Sequence, residues 1–286
     1  MCGIAGIFGV ERNIEKKTNK MLRIIKYRGP DKTHQIKYKN FCGGTVRLSI
    51  EAIKDGSQPI EDENIVVGFN GEIFNYKELS KKFKLGNQNY SEILIIQKLY
   101  ALLGVSFIHE LEGQFAIFIY DKLKDEVLLF RDHYGIRPLF YHLNKKVFFF
   151  SSEMKAIVAT SNKEFCINSN SIASTALFWT NIGELTSINN IFQLEPGHYL
   201  KFDGKKIIKT QYFNDPLYNK TKTIKKKKRV YDILKKSIKN QLQSEVGYAC
   251  SLSGGIDSSA IAYILSKLSK KRIDTFSLAF EDESYD

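Results

Sequence analysis

Long apolar runs are missing from this sequence. No stretch of its 286 residues approaches the ~18–20 consecutive apolar residues of a membrane-spanning helix. Residues 1–12 have no basic start, and their apolar run is broken by glycines and ends at Glu11. They do not read as a signal peptide, so a soluble, cytoplasmic protein is the expectation. Cysteine is scarce: Cys2, Cys42, Cys166 and Cys250 form no CxxC pair. That spacing argues against a metal site or redox pair, and no metal ligand is assigned. Without an export signal it also argues against a disulfide framework. Cys42 and Cys250 lie in apolar, strand-like runs and read as core thiols. Internal repeats are absent.

Acidic residues are outnumbered, 31 against 43 basic ones, for a net charge of +12. Such an excess raises the question of nucleic acid. Most of it is scattered lysine, with one run at residues 225–229. No recognition motif accompanies the run, which reads as a solvated linker or first helical turn. The abundance of Lys, Asn and Ile also fits an AT-rich coding bias. Neither nucleic acid nor a membrane is an expected partner.

What is present suffices for ordinary cores: 43% hydrophobic and 13% aromatic residues. The length suggests two domains, or one and part of another. Residues 1–9 read as a short buried strand and residues 14–26 as a helix through Ile14, Met21, Leu22 and Ile25. Arg28-Gly29-Pro30-Asp31 is a turn signal. Residues 41–48 and 65–69 read as strands, and residues 91–103 as a helix behind a Ser cap. A dense set of short strands follows at 115–120, 127–130, 139–142 and 147–150. This β-rich part, with helices between strand groups, suits a layered α+β sandwich. Residues 160–222 are less regular. After a helical pattern through Val230, Ile233, Leu234 and Ile238 the grammar changes to strand 248–252, turn, helix 257–268 and strand 273–280. That is one βαβ unit, the start of a parallel α/β sheet. One such unit cannot cover both faces of a parallel sheet, so the second domain is expected to be incomplete.

Cys2 becomes the N-terminal residue once Met1 is removed. Thiol and α-amine then share one carbon skeleton, and an amine of pKa ~7.7–8.0 can serve as base to the thiol. Alone, a cysteine at position two is weak evidence and would be taken for a small buried hydrophobe. Arg47 ends a strand, where it can hold a carboxylate through two parallel hydrogen bonds or make a surface salt bridge. Asn70-Gly71-Glu72 follows a strand, where it can form an oxyanion hole or a hairpin turn. Ser253-Gly254-Gly255-Ile256-Asp257-Ser258-Ser259 joins strand to helix, a loop of exposed N–H groups suited to an anion. It lacks the Gly-Lys-Ser/Thr of a Walker A loop.

Five motifs together resemble the N-terminal-nucleophile glutamine amidotransferases. They are Met1-Cys2-Gly3-Ile4, Arg28-Gly29-Pro30-Asp31, Arg47-Leu48-Ser49-Ile50, Phe69-Asn70-Gly71-Glu72-Ile73-Phe74-Asn75 and Arg131-Asp132-His133-Tyr134-Gly135-Ile136-Arg137-Pro138-Leu139. With Ser152-Glu153-Met154-Lys155-Ala156, Glu195-Pro196-Gly197 and the Ser253 loop, the whole chain resembles the glutamine-hydrolysing asparagine synthetases. The resemblance implies a four-layer αββα sandwich over residues 1–210, a linker at 211–228, and the first βαβ unit of an adenine-nucleotide-binding domain at 229–286. It implies Cys2 as nucleophile with Asn70 and Gly71 as oxyanion hole. Arg47, Leu48, Ser49, Ile50, Glu51, Glu72 and the position of Tyr90 would line the glutamine site. Leu252, Ser253, Gly254, Gly255, Asp257, Ser258, Ser259 and Leu278 would contact ATP. The implied reaction takes ammonia from glutamine to an aspartyl adenylate, giving asparagine, AMP and pyrophosphate, with Mg²⁺ accompanying ATP and no prosthetic group. Glutamine, ATP and aspartate are the expected small-molecule partners, and homodimerisation is left open.

Tyr90 departs from the family pattern, which has an acidic residue there to hold the substrate ammonium; a phenol carries no such charge. No SGEGxDE-like acceptor motif occurs before Asp286. Glutaminase activity without synthetase activity is therefore the expectation for this chain. Another carboxylate acceptor, or a non-catalytic relic, are the alternatives.

Overall fold

A computed structural model of the chain describes residues 1–50, 56–86, 91–161, 163–214, 227–269 and 272–279. Two compact units divide it, Met1–Tyr218 and Asn219–Asp286.

The first unit opens with β1 (Gly3–Phe8), α1 (Ile14–Ile24), β2 (Lys32–Tyr38) and β3 (Phe41–Arg47). It continues through β4 (Ile60–Glu61), β5 (Ile65–Ile73), α2 (Tyr76–Lys82) and α3 (Glu92–Leu103). Next come β6 (Gly113–Asp121), β7 (Glu126–Arg131), β8 (Phe140–Asn144), β9 (Val147–Ser151), α4 (Met154–Val158) and α5 (Ser169–Phe178). The short β10 (Phe192–Gln193) precedes the hairpin of β11 (His198–Phe202) and β12 (Ile207–Gln211). The strands form two antiparallel six-stranded sheets, in the orders β10-β8-β9-β1-β3-β2 and β12-β11-β7-β6-β5-β4.

Strand periodicity assigns each side chain to a layer. Along β1, Ile4 and Phe8 join the core between the sheets, while Ala5 and Ile7 join the core beneath α1 and α4. Phe41, Phe148 and Phe150 of the first sheet meet Val66, Phe118, Tyr120, Leu129 and Phe202 of the second. Each such ring is fully buried and contributes roughly 1.5–3 kcal/mol. Phe118 fits because Gly68 leaves room: a Cβ there would lie 2.1 Å from the ring. On the far face of the second sheet, Val67, Phe69, Ile117 and Phe130 pack with Tyr76, Leu79, Ile93, Ile96 and Leu99 of α2 and α3. The order helix, sheet, sheet, helix is the expected four-layer α+β sandwich. The segment Glu92–Glu110 is long and apolar enough on average to cross a membrane; here its buried residues pack on the second sheet.

Three features differ from the sequence reading. β2 went unread because its polar composition hides a strand in which Ile36 alone is buried. Asn70-Gly71 is neither a turn nor a strand terminus, because pairing with β6 continues to Ile73↔Gly113. The strand expected at 273–280 is only Asp274–Phe276 and is exposed.

Beyond residue 210, Tyr212 donates to the Arg131 carbonyl at 2.6 Å and Phe213 meets the His133 ring. The second unit contains α6 (Lys227–Gln241), β13 (Ala249–Ser251), α7 (Ile256–Leu268) and β14 (Asp274–Phe276). β13 and β14 pair in parallel across α7, one βαβ unit. α6 begins within the basic run, of which residues 225–226 lie outside the described residues. Cys42 and Cys250 are buried, as core thiols should be.

Candidate active site between the sheets

The start of β1 and the ends of β3, β5, β7 and β9 share one end of the sandwich, as the antiparallel registers require. Parity then sets which side chains face the inter-sheet layer. Cys2 follows Ile4 and Phe8 there. Arg47 follows Phe41, Asn70 follows Val66, and Glu72 follows Asn70. Four residues scattered over 70 positions are therefore assigned to the same inter-sheet layer.

Cys2 is half-buried. The Leu48 N–H lies 3.4 Å from its sulfur, which in turn lies 3.6 Å from the Leu48 carbonyl. Burial pushes the thiol above its usual value, against the pull of the Leu48 N–H, the N-terminus, Arg47 and Arg137. A thiol so raised needs a base near neutral pH. Met1 is still attached here, so the Cys2 nitrogen is an amide, and the amine belongs to Met1, which is 56% exposed. Burial lowers that amine, as do Arg137 and Arg28, while Cys2 and Glu72 raise it. The surroundings favour a neutral, proton-accepting amine.

Arg28-Gly29-Pro30-Asp31 braces this corner. Arg28 Nε donates to the Cys2 carbonyl at 3.0 Å. A Cβ on Gly29 would lie 2.5 Å from the Arg47 nitrogen, so only glycine allows the loop to lie on β3. Asp31 accepts from the Ser49 N–H at 2.7 Å, fixing the segment after Arg47. Arg47 is buried, not on the surface. Leu48, Ser49 and Ile50 are half-buried beside it. Glu51 and Tyr90 lie outside the described residues.

The β5 edge explains how an oxyanion could be held. The Phe69 N–H donates to Gln58 Oε1 at 3.2 Å, and the Ile73 N–H to Glu92 Oε1 at 2.5 Å. Gly71 lies between them and points its N–H to the same edge by alternation. Its neighbour Phe115 directs N–H and carbonyl away, to Asp132. Two donors are capped by side chains, and the one between them takes no described side chain. Beside it, the Asn70 amide is 1% exposed, and neither its oxygen nor its nitrogen has a hydrogen-bond partner among the described residues. Gly71 has φ 154°, and a Cβ there would lie 2.0 Å from the Gln114 carbonyl oxygen.

Asp132 organises the next wall. Its carboxylate accepts from the N–H groups of Phe115, Tyr134, Ile136 and Arg137 at 2.9–3.2 Å. Arg131 donates to the carbonyls of Arg137, Leu194 and Gly135. This loop delivers Arg137, a residue given no role in the sequence reading. Its guanidinium is buried, its Nε has no partner among the described residues, and it interacts with Glu72 and Cys2.

In the second unit Ser253, Gly254 and Gly255 are exposed ahead of α7, with Gly254 at φ 80°. Ser258 Oγ accepts from the Ser253 N–H at 3.2 Å and donates to the Gly255 carbonyl at 3.1 Å. Neither Asp257 nor Ser258 caps the helix; Gly255 occupies the cap position without a side-chain bond. Asp257 and Ser259 are exposed in the first turn. Leu252 donates to the Phe276 carbonyl at 2.8 Å, and Leu278 is exposed beyond β14. The loop thus sits between the end of β13 and the first turn of α7, with its small residues exposed.

A four-layer sandwich with a cysteine just before a central strand has the architecture of the N-terminal-nucleophile fold. The comparisons make this particular. A family model described as a glutamine amidotransferase domain matches residues 1–213, and one described as asparagine synthase matches residues 229–286. The chain belongs to the glutamine amidotransferase domain family. It is 34% identical, over 98% of its length, to a putative asparagine synthetase [glutamine-hydrolyzing] 2 of Methanocaldococcus jannaschii, covering 60% of that protein. Asparagine synthetase B of Escherichia coli is 30% identical over 96% of this chain and 46% of its own length. Asparagine synthetase 2 of Bacillus subtilis is 34% identical over 97% and 40%. The chain thus spans 40–60% of these relatives. The fold is also that of glutamine phosphoribosylpyrophosphate amidotransferase from B. subtilis (TM-score 0.57, 14% identity, 96% of this chain and 65% of that one).

Proposed function

We propose that this chain is the glutamine-hydrolysing part, with the start of the ligase part, of an asparagine synthetase. The observation that carries the reading is the orphaned Asn70 amide beside the uncapped Gly71 N–H, facing the same layer as Cys2. With Met1 removed, the Cys2 amine takes the thiol proton. The thiolate attacks the side-chain carbonyl of glutamine, and the oxyanion that forms accepts from Asn70 Nδ2 and the Gly71 N–H. The ammonium returns its proton to the leaving nitrogen as the C–N bond breaks, releasing ammonia and a thioester. Water then releases glutamate. Arg47 binds the substrate α-carboxylate and Glu72 its ammonium.

In the second unit, the Ser253 loop offers N–H groups and hydroxyls, a donor set that fits phosphate oxygens. Mg²⁺ would accompany the phosphates of ATP; among the described residues no three His, Cys, Asp or Glu side chains group together. Aspartate as acceptor rests on the names of the relatives. The reading places the enzyme in the cytoplasm, where ATP is plentiful. Glutaminase assays of wild type and Cys2→Ala, with intact mass to show removal of Met1, test it. Equal activity in the two, or retained Met1 on an active enzyme, refutes the N-terminal-nucleophile mechanism.

A further inference from the structure

Ser152-Glu153 is a matched motif to which the chemistry above gives no task. It lies just past the end of β9, the strand beside β1. Ser152 Oγ accepts from the Ile4 N–H at 3.0 Å, and the Ser152 N–H donates to the Ile4 carbonyl at 2.8 Å. These bonds extend the β1–β9 ladder past Ala5↔Ser151, to within two residues of Cys2. Glu153 then reaches the nucleophile through an intermediary. Its carboxylate lies 3.0 Å from Arg28 Nη1, and Arg28 Nε donates to the Cys2 carbonyl at 3.0 Å.

The pair is largely shielded, with side-chain exposures of 9% and 18%. Arg28 Nη2 is buried without a partner among the described residues, so Glu153 is the anion that holds this guanidinium. A second layer fixes the carboxylate itself. The Tyr27 hydroxyl donates to it, and Lys155 Nζ lies 3.0 Å away while also donating to the Tyr27 oxygen. Burial alone would raise the Glu153 carboxyl, but hydrogen bonds from Tyr27, Lys155 and Arg28 hold it below its usual value. It is therefore ionised throughout the neutral range.

We infer that Glu153 is a positioning residue for the nucleophile, holding Arg28 so that the Cys2 carbonyl, and with it the thiol and amine, keeps one orientation. The inference rests on the reading of Cys2 as the nucleophile. Removing the carboxylate strands a buried cation, which turns toward solvent and releases Cys2. A displaced nucleophile loses rate and not substrate affinity, because the glutamine carboxylate and ammonium are held elsewhere.

The test is glutaminase kinetics of Glu153→Ala and Glu153→Gln, with active sites counted by a diazoketone analogue of glutamine. Per competent site, kcat should fall in Glu153→Ala by between tenfold and the ~10²-fold that a 1 Å displacement can cost. KM should stay within about twofold. Glu153→Gln keeps an acceptor for Arg28 and should fall between. Unchanged kcat per site, or a loss confined to KM, overturns the proposal. A second readout is independent of turnover: the ¹³Cβ resonance of Cys2, assigned by its loss in Cys2→Ala. It should shift or broaden in Glu153→Ala while those of Cys42 and Cys250 stay in place. An unmoved resonance also overturns the proposal. Absence of glutaminase activity in the wild type refutes the nucleophile reading instead, and the resonance still decides the role of Glu153.

Discussion

Asn70→Ala should move activity and stability in opposite directions. The amide is 1% exposed with both polar atoms unpartnered among the described residues. Burying polar groups without partners costs about 1–3 kcal/mol. Alanine removes that cost but leaves a small cavity, worth roughly 1 kcal/mol for a side chain of this size. The net effect is a gain of zero to about 2 kcal/mol. For a unit of this size, about 2–4 °C per kcal/mol, the first unit should melt unchanged or up to about 8 °C higher. Activity should go the other way. Deleting one oxyanion donor typically costs 10²–10³ in kcat, about 2.7–4 kcal/mol. Glutamate release, coupled to a dehydrogenase, measures the rate, and circular dichroism melting measures the stability. A Tm lowered by several degrees would show that Asn70 serves the fold. A loss of kcat under about tenfold would show that it does not hold the oxyanion.

Other outcomes follow from named contacts. Gly71→Ala places a Cβ 2.0 Å from the Gln114 carbonyl oxygen, so strand β5 must part from β6; soluble yield and Tm should both drop sharply. Asp31→Ala frees the Ser49 N–H, and the KM for glutamine should rise several-fold with a smaller change in kcat. Tyr90→Asp supplies the missing carboxylate and should lower KM; an ammonium contact is worth about 1.5–3 kcal/mol, roughly tenfold or more. His142 is fully buried, and burial lowers its pKa against the bond to the Asn190 carbonyl. The unfolded chain takes the proton first, so stability is lost as pH falls from about 6.5 toward the depressed native value. Melting curves between pH 7 and 5 should fall more steeply for wild type than for His142→Gln.

Chemistry was more legible than geometry. Cys2, Arg47, Asn70 and Gly71 stand out because five co-linear motifs resemble one family; each residue alone has an ordinary structural explanation. The two-sheet core followed from short, continuously apolar runs such as residues 115–120 and 147–150, as strands buried on both faces require. Placement was not legible. Nothing in Asn70-Gly71 distinguishes a hairpin from a strand interior, since pairing to Gly113 decides it. Gln58 and Glu92 were given no role, because their task is to cap N–H groups of a strand remote in sequence. Asp132 looked like one more motif acid, yet its four backbone bonds set the loop that delivers Arg137. β2 escaped because its residues are exposed or half-buried except Ile36, which erased the alternation.

β1 is made well before its partner β9, which pairs through Ser151, 146 positions after Ala5. At about 5–20 residues per second, ribosomal synthesis separates the two by roughly 7–30 s. During that interval Cys2 has neither the Ser152 clamp on Ile4 nor Glu153 behind Arg28. Nascent chains therefore carry Cys2 as an unconstrained thiol. The order of synthesis itself keeps the Cys2 corner unassembled until the sandwich has closed.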